Sequence, residues 1–125
     1  MKRFVWAAAL LAAVLSAIVL PDAVAQGPSQ PKLVCDRGPF STKSFGGTQW
    51  QIYGCTDNRS VAIVTAPGSP AIPFYFLLAW IDGVYTVSGE GTGRRRDLTD
   101  KAYNDLIKLN RQQIDAIVNE TLKRN

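Results

Sequence analysis

Read for its apolar periodicity, the chain falls into four stretches of different character. Phe4 to Leu20 is an almost unbroken apolar run, preceded by Lys2 and Arg3 and followed by Pro21 and the small-residue site Ala23-Val24-Ala25. That is the order of parts in a cleavable secretory signal peptide, so residues 1–25 are expected to be removed and Gln26 to lead the mature chain. The next six residues, 26–31, are polar and proline-containing, and read as an extended leader. Residues 32–125 then form one small domain.

Within that domain the pattern first follows a period of two. Leu33 to Cys35 is a short apolar segment, and Phe40 to Gly47 reads as a loop carrying a Gly46-Gly47 pair. Thr48 to Thr56 alternates Trp50 and Ile52 against Gln51 and Tyr53, which predicts a strand. After an Asp57-Asn58 turn, Ser60 to Ala66 supplies the β-branched residues of a second strand, ended by Pro67-Gly68-Ser69-Pro70. Phe74 to Ile81 is apolar at every position and predicts a central strand with both faces in need of cover. Asp82-Gly83 before the alternating Val84 to Val87 is a strong hairpin signal.

The final third takes a helical period. Leu98, Ala102, Leu106 and Leu109 fall on one face, with capping oxygens expected from Asp97, Thr99 and Asp100. Ile114, Ile117 and Val118 fall on a face rotated from the first, and Asn110 with Gln113 has the spacing of a capping box. The prediction is two helices, Thr99 to Leu109 and Arg111 to Leu122, with one kinked helix as the alternative. The fold class is therefore α+β: a four- to five-stranded antiparallel sheet followed by two C-terminal helices packed on one face.

Composition narrows the chemistry. Losing Lys2, Arg3 and Asp22 from 14 basic and 10 acidic side chains leaves 12 and 9, a net charge of +3. So small a surplus falls short of a nucleic-acid footprint and fits at most a weak contact with an anionic surface. Cys35 and Cys55, the only cysteines, lack redox spacing, and in an exported chain are expected to pair as a structural disulfide. Histidine is absent, which removes the commonest general base and metal ligand. No catalytic residue, metal ligand or cofactor motif is assigned. A hydrolase built on two carboxylates, with Asp82 and Glu90 as candidates, is the least favoured reading.

Two regions remain as candidate sites. Trp50, Tyr53, Tyr75 and Trp80 make the sheet aromatic-rich, and any of its faces left open would be a binding patch. Gly89-Glu90-Gly91-Thr92-Gly93 followed by Arg94, Arg95 and Arg96 suggests an anion contact, although it fails both the dinucleotide and the P-loop patterns. Asn58-Arg59-Ser60 and Asn119-Glu120-Thr121 fit the glycosylation sequon, relevant only in a eukaryotic secretory route. The expectation is a periplasmic or secreted non-enzymatic module that binds a protein, an envelope component or an apolar ligand. The alternative is an accessory envelope protein that dimerises through its sheet face.

Overall fold

Alternation along the chain resolves into a five-stranded meander in the computed structural model, which describes residues 32–123. The expected signal peptide and leader lie outside the described residues. The strands are β1 (Arg37–Phe45), β2 (Thr48–Gly54), β3 (Val61–Thr65), β4 (Phe74–Ile81) and β5 (Val84–Gly91), joined antiparallel in the order β1-β2-β3-β4-β5. Two helices follow, α1 (Arg96–Ile107) and α2 (Arg111–Leu122). The α+β class, the antiparallel sheet, the two C-terminal helices and the Cys35–Cys55 disulfide are thus all present.

Register assigns every side chain to a face. Ile52 stands opposite Ile63 and Ile63 opposite Phe76, while Val61 stands opposite Leu78. These residues are buried with Trp50 against Ala102 and Leu106 of α1 and Ile114, Ile117 and Val118 of α2. One face of the sheet is therefore the core. Trp50 is wholly buried there, donating its indole N–H to the Phe45 carbonyl at 2.9 Å, with its ring centroid 5.1 Å from that of Phe76.

The first strand corrects the reading of residues 40–47, because β1 runs through most of the segment expected to be a loop. It is polar because it is an edge strand at the margin of the core. Its inward side chains include Ser41 and Lys43, which meet the Glu120 carboxylate of α2, the Lys43 ammonium at 3.0 Å. The hairpin that follows turns through Gly46 and Gly47, both at positive φ. At Gly46 a Cβ would collide with the backbone of Ala102, so the residue also lets the hairpin press on α1, and its N–H donates to Asp105 at 2.6 Å.

Both helix starts are informative. At α2 the expected capping box is complete: the Asn110 side chain accepts from the Gln113 N–H, and the Gln113 side chain accepts from the Asn110 N–H, each at 2.8 Å. That box separates two helices instead of kinking one. At α1 the expected caps are not used. The N-cap is Arg95 without a side-chain cap, Asp97 sits in the first turn, and buried Thr99 donates its hydroxyl to the Arg96 carbonyl.

Long-range polar anchors close the end of the sheet near the disulfide. The bond joins Cys35, just before β1, to Cys55, just after β2. Beside it the Arg37 guanidinium donates to the carbonyls of Thr121 and Cys55 and to the Asn58 side chain, at 3.1, 2.7 and 3.1 Å. It thereby satisfies a carbonyl at the C-terminus of α2 that the helix itself leaves unpaired.

Candidate functional site

Both helices pack on one face, so the opposite face of the sheet is uncovered among the described residues. The pleat sends Tyr53 of β2, Ala62 and Val64 of β3, Tyr75, Leu77, Ala79 and Ile81 of β4 and Val84 of β5 to that side, the small Ala62 and Ala79 being buried. Tyr75, Ile81 and Val84 are 42%, 51% and 58% exposed. Ile81 and Val84 stand opposite each other beside the Asp82-Gly83 turn, whose residues take φ of 49° and 87°. The uncharged polar members of the face are Thr42, Ser44, Gln49, Gln51, Thr86 and Ser88.

Glu90 is the one carboxylate on this face, and it is not free. The Tyr75 hydroxyl donates to it at 3.1 Å, and the same hydrogen bond and negative charge raise the Tyr75 pKa above its ordinary value. Beside this pair a cleft of about 430 Å³ is lined by Val64, Thr65, Pro73, Phe74, Tyr75 and Glu90. The arrangement offers an apolar surface with hydrogen-bonding tips.

The four aromatic residues proposed from the sequence do not share this face, which corrects that grouping. Tyr53 and Tyr75 lie on it, whereas Trp50 is in the core and Trp80 points to the helix side. Trp80 is half-buried at the margin of the core, its ring 4.9 Å from that of Tyr85, with the guanidinium carbons of Arg59 and Arg111 at 5.0 and 4.9 Å. Arg111 is also paired with Asp115 at 2.9 Å, and the Tyr85 hydroxyl donates to the Arg59 carbonyl at 2.9 Å. Burial raises the Tyr85 pKa against the opposing pull of Arg111. Trp80 therefore acts as a platform that ties the β2–β3 turn and the start of α2 to the end of the core.

The glycine-arginine stretch divides in the same way between packing and exposure. A Cβ at Gly91 would strike the Pro73 carbonyl, and one at Gly93 the Ala71 carbonyl. Both glycines thus serve close passage beside the loop before β4. Arg95 pairs with Asp97 through two hydrogen bonds of 2.9 Å, and that pairing pulls the Asp97 carboxyl down to about 2. Arg94 and Arg96 are exposed. A cavity of about 440 Å³ beside them is lined by Arg96 but also by Asp100, so its charge is mixed. Asp82 lies in the turn before β5 and Glu90 near the far end of that strand, roughly 25 Å apart by strand rise, too far to act on one bond.

Sequence reasoning missed Arg37, whose three acceptors come from distant parts of the chain and leave no local pattern. It also missed Arg59 and Arg111 as partners of Trp80, for the same reason. Among the described residues no group of three or more metal-ligating side chains comes together, and no helix is long and apolar enough to cross a membrane. No protein-family model matches the chain, and neither the curated proteins nor the solved structures compared with it gave a match. The disulfide suggests a location outside the cytosol.

Proposed function

We propose that the chain is an exported, non-enzymatic binding module that engages a partner protein through the open face of its sheet. The observation carrying this reading is the character of that face. In a chain with 19% charged residues, its outward positions hold a single carboxylate amid tyrosines, aliphatic side chains and neutral amides and hydroxyls. Depletion of charge with enrichment of tyrosine and aliphatic area is the composition of an interface core. The neutral face also argues against a polyanion as its occupant, since such a partner needs clustered cations.

Export in this reading rests on the Lys2-Arg3, Phe4–Leu20 and Ala23-Val24-Ala25 sequence and on the disulfide. N-terminal sequencing of the protein recovered from outside the cytosol should begin at Gln26, and an intact Met1 would overturn the processing step. For the face, a photo-crosslinking amino acid at Leu77, in the cell that makes the protein, should give one discrete protein adduct. The same group at exposed Gln112 on α2 should give none. Equal labelling from both positions, or none from Leu77, would refute the assignment.

A further inference from the structure

The two edges of the sheet are built differently. β1 carries Pro39, which has no N–H to offer, a register break between Arg37 and Ser41, and the inward-pointing Lys43 held by Glu120. These are the devices by which natural sheets prevent another strand from pairing with an edge. β5 carries none of them. It pairs with β4 without interruption from Ile81↔Val84 to Phe74↔Gly91, holds no proline and no lysine, and reads Val84-Tyr85-Thr86-Val87-Ser88. Among the described residues no other backbone segment bonds to it, and the cavity at the start of α1 takes Gly89 and Gly91 from this strand and none of residues 84–88.

We propose that β5 pairs antiparallel with β5 of a second copy about a two-fold axis at Val87, merging two sheets into one of ten strands. The two-residue turn makes Ile81 and Val84 a hydrogen-bonded pair, so alternation points the backbone groups of Val84, Thr86, Ser88 and Glu90 at β4. Those of Tyr85, Val87 and Gly89 face away from the sheet. With Val87 opposite its own copy, Tyr85 falls opposite Gly89, and every one of these outward donors and acceptors is used.

Charge is compatible with the same partner and register. Glu90 then stands opposite Val84, so no carboxylate faces another and no foreign cation is called for. Centring on Thr86 instead would set Asp82 opposite Glu90. Val87 and Tyr85, half-buried on the helix side, gain cover from the second copy's residues at the same level. A second copy also brings a strand of the same eight residues to this edge. The inference concerns the edge and stands apart from the open face, which the pairing would double in width.

Sedimentation equilibrium of the mature chain, residues 26–125, should give twice the monomer mass. Val87→Pro removes an N–H that the β4–β5 ladder does not use, so it should halve that mass while the circular dichroism stays native. Exposed Ser88→Cys should be joined to its counterpart by a short bis-maleimide, and Val64→Cys on the open face should not. Should Val87→Pro fail to fold, the Ser88→Cys result still decides. A monomeric wild type, a folded Val87→Pro dimer, or cross-linking through Val64→Cys in preference to Ser88→Cys would each overturn the proposal.

Discussion

The two sides of β4 come from one eight-residue run and have opposite fates. Phe76 and Leu78 are no more than 2% exposed beneath the helices, while Tyr75 and Ile81 on the reverse side are 42% and 51% exposed. Hydrophobicity along the strand does not distinguish them, because both sets are apolar. What distinguishes them is cover: α1 and α2 have apolar positions enough for one face and supply nothing to the other. A side chain on the covered face contributes to folding, and one on the open face leaves its apolar area available to a partner.

That contrast is broken most forcefully from the covered side. Phe76→Ala removes a ring packed against Trp50, Phe74 and Tyr103, and should cost about 3–5 kcal/mol in a urea titration. An effect under about 1 kcal/mol would mean that the covered face is not the core. Next in size is the staple. Replacing Cys35 and Cys55 together by Ser releases a loop with 20 residues of separation and should cost about 3 kcal/mol, read as a lower denaturation midpoint. No change would show that the Arg37 and Val34–Thr56 hydrogen bonds already hold this end of the sheet closed.

A smaller effect belongs to the β2–β3 turn at the end of both faces. Burial pushes the Asp57 carboxyl up, but the Ser60 hydroxyl and the N–H groups of Ser60 and Arg59 outweigh it and hold its pKa below the ordinary 3.8. A carboxylate with a depressed folded pKa contributes stability that is present above the unfolded value and lost as pH falls through the folded one. Wild type should therefore exceed Asp57→Ala in stability at neutral pH, and the gap should narrow below about pH 3.8. The Ser60 hydroxyl, which also accepts from the Trp80 N–H, links this turn to β4. A gap independent of pH would assign the whole effect to that packing and none to the charge.

How much of this was legible in the sequence depended on whether the signal was local. The Asp82-Gly83 hairpin, the Asn110 capping box, the rotated face of Ile114, Ile117 and Val118 and the division of β4 into two apolar sets each lie within a few residues. β1 escaped because an edge strand needs no apolar alternation, and its hydroxyls and Lys43 look like a loop. The start of α1 escaped because Arg95 caps it with no side-chain bond. For the candidate site, alternation separates Trp50 from Tyr53 but does not say which of the two the helices will cover. Only packing puts Trp50 inside and leaves Tyr53 and Tyr75 on the open side.

The smallest expected effect on stability is the sharpest test of that division. Leu77 and Tyr75 are neighbours on β4, and the open face gives neither of them a helix to pack on. Leu77→Ser should lower stability by only about 1 kcal/mol, well below the cost of Phe76→Ala one position away, because the side chain leaves a surface and not a close-packed interior. The same change should reduce recovery of the adduct formed from a photo-crosslinker moved to Tyr53, since it inserts a hydroxyl into the middle of the proposed interface. If instead Leu77→Ser destabilised the protein as much as Phe76→Ala, the open face would be packed against another surface in the folded state. Its apolar area would then belong to the stability of the molecule and could not be counted toward a separate partner.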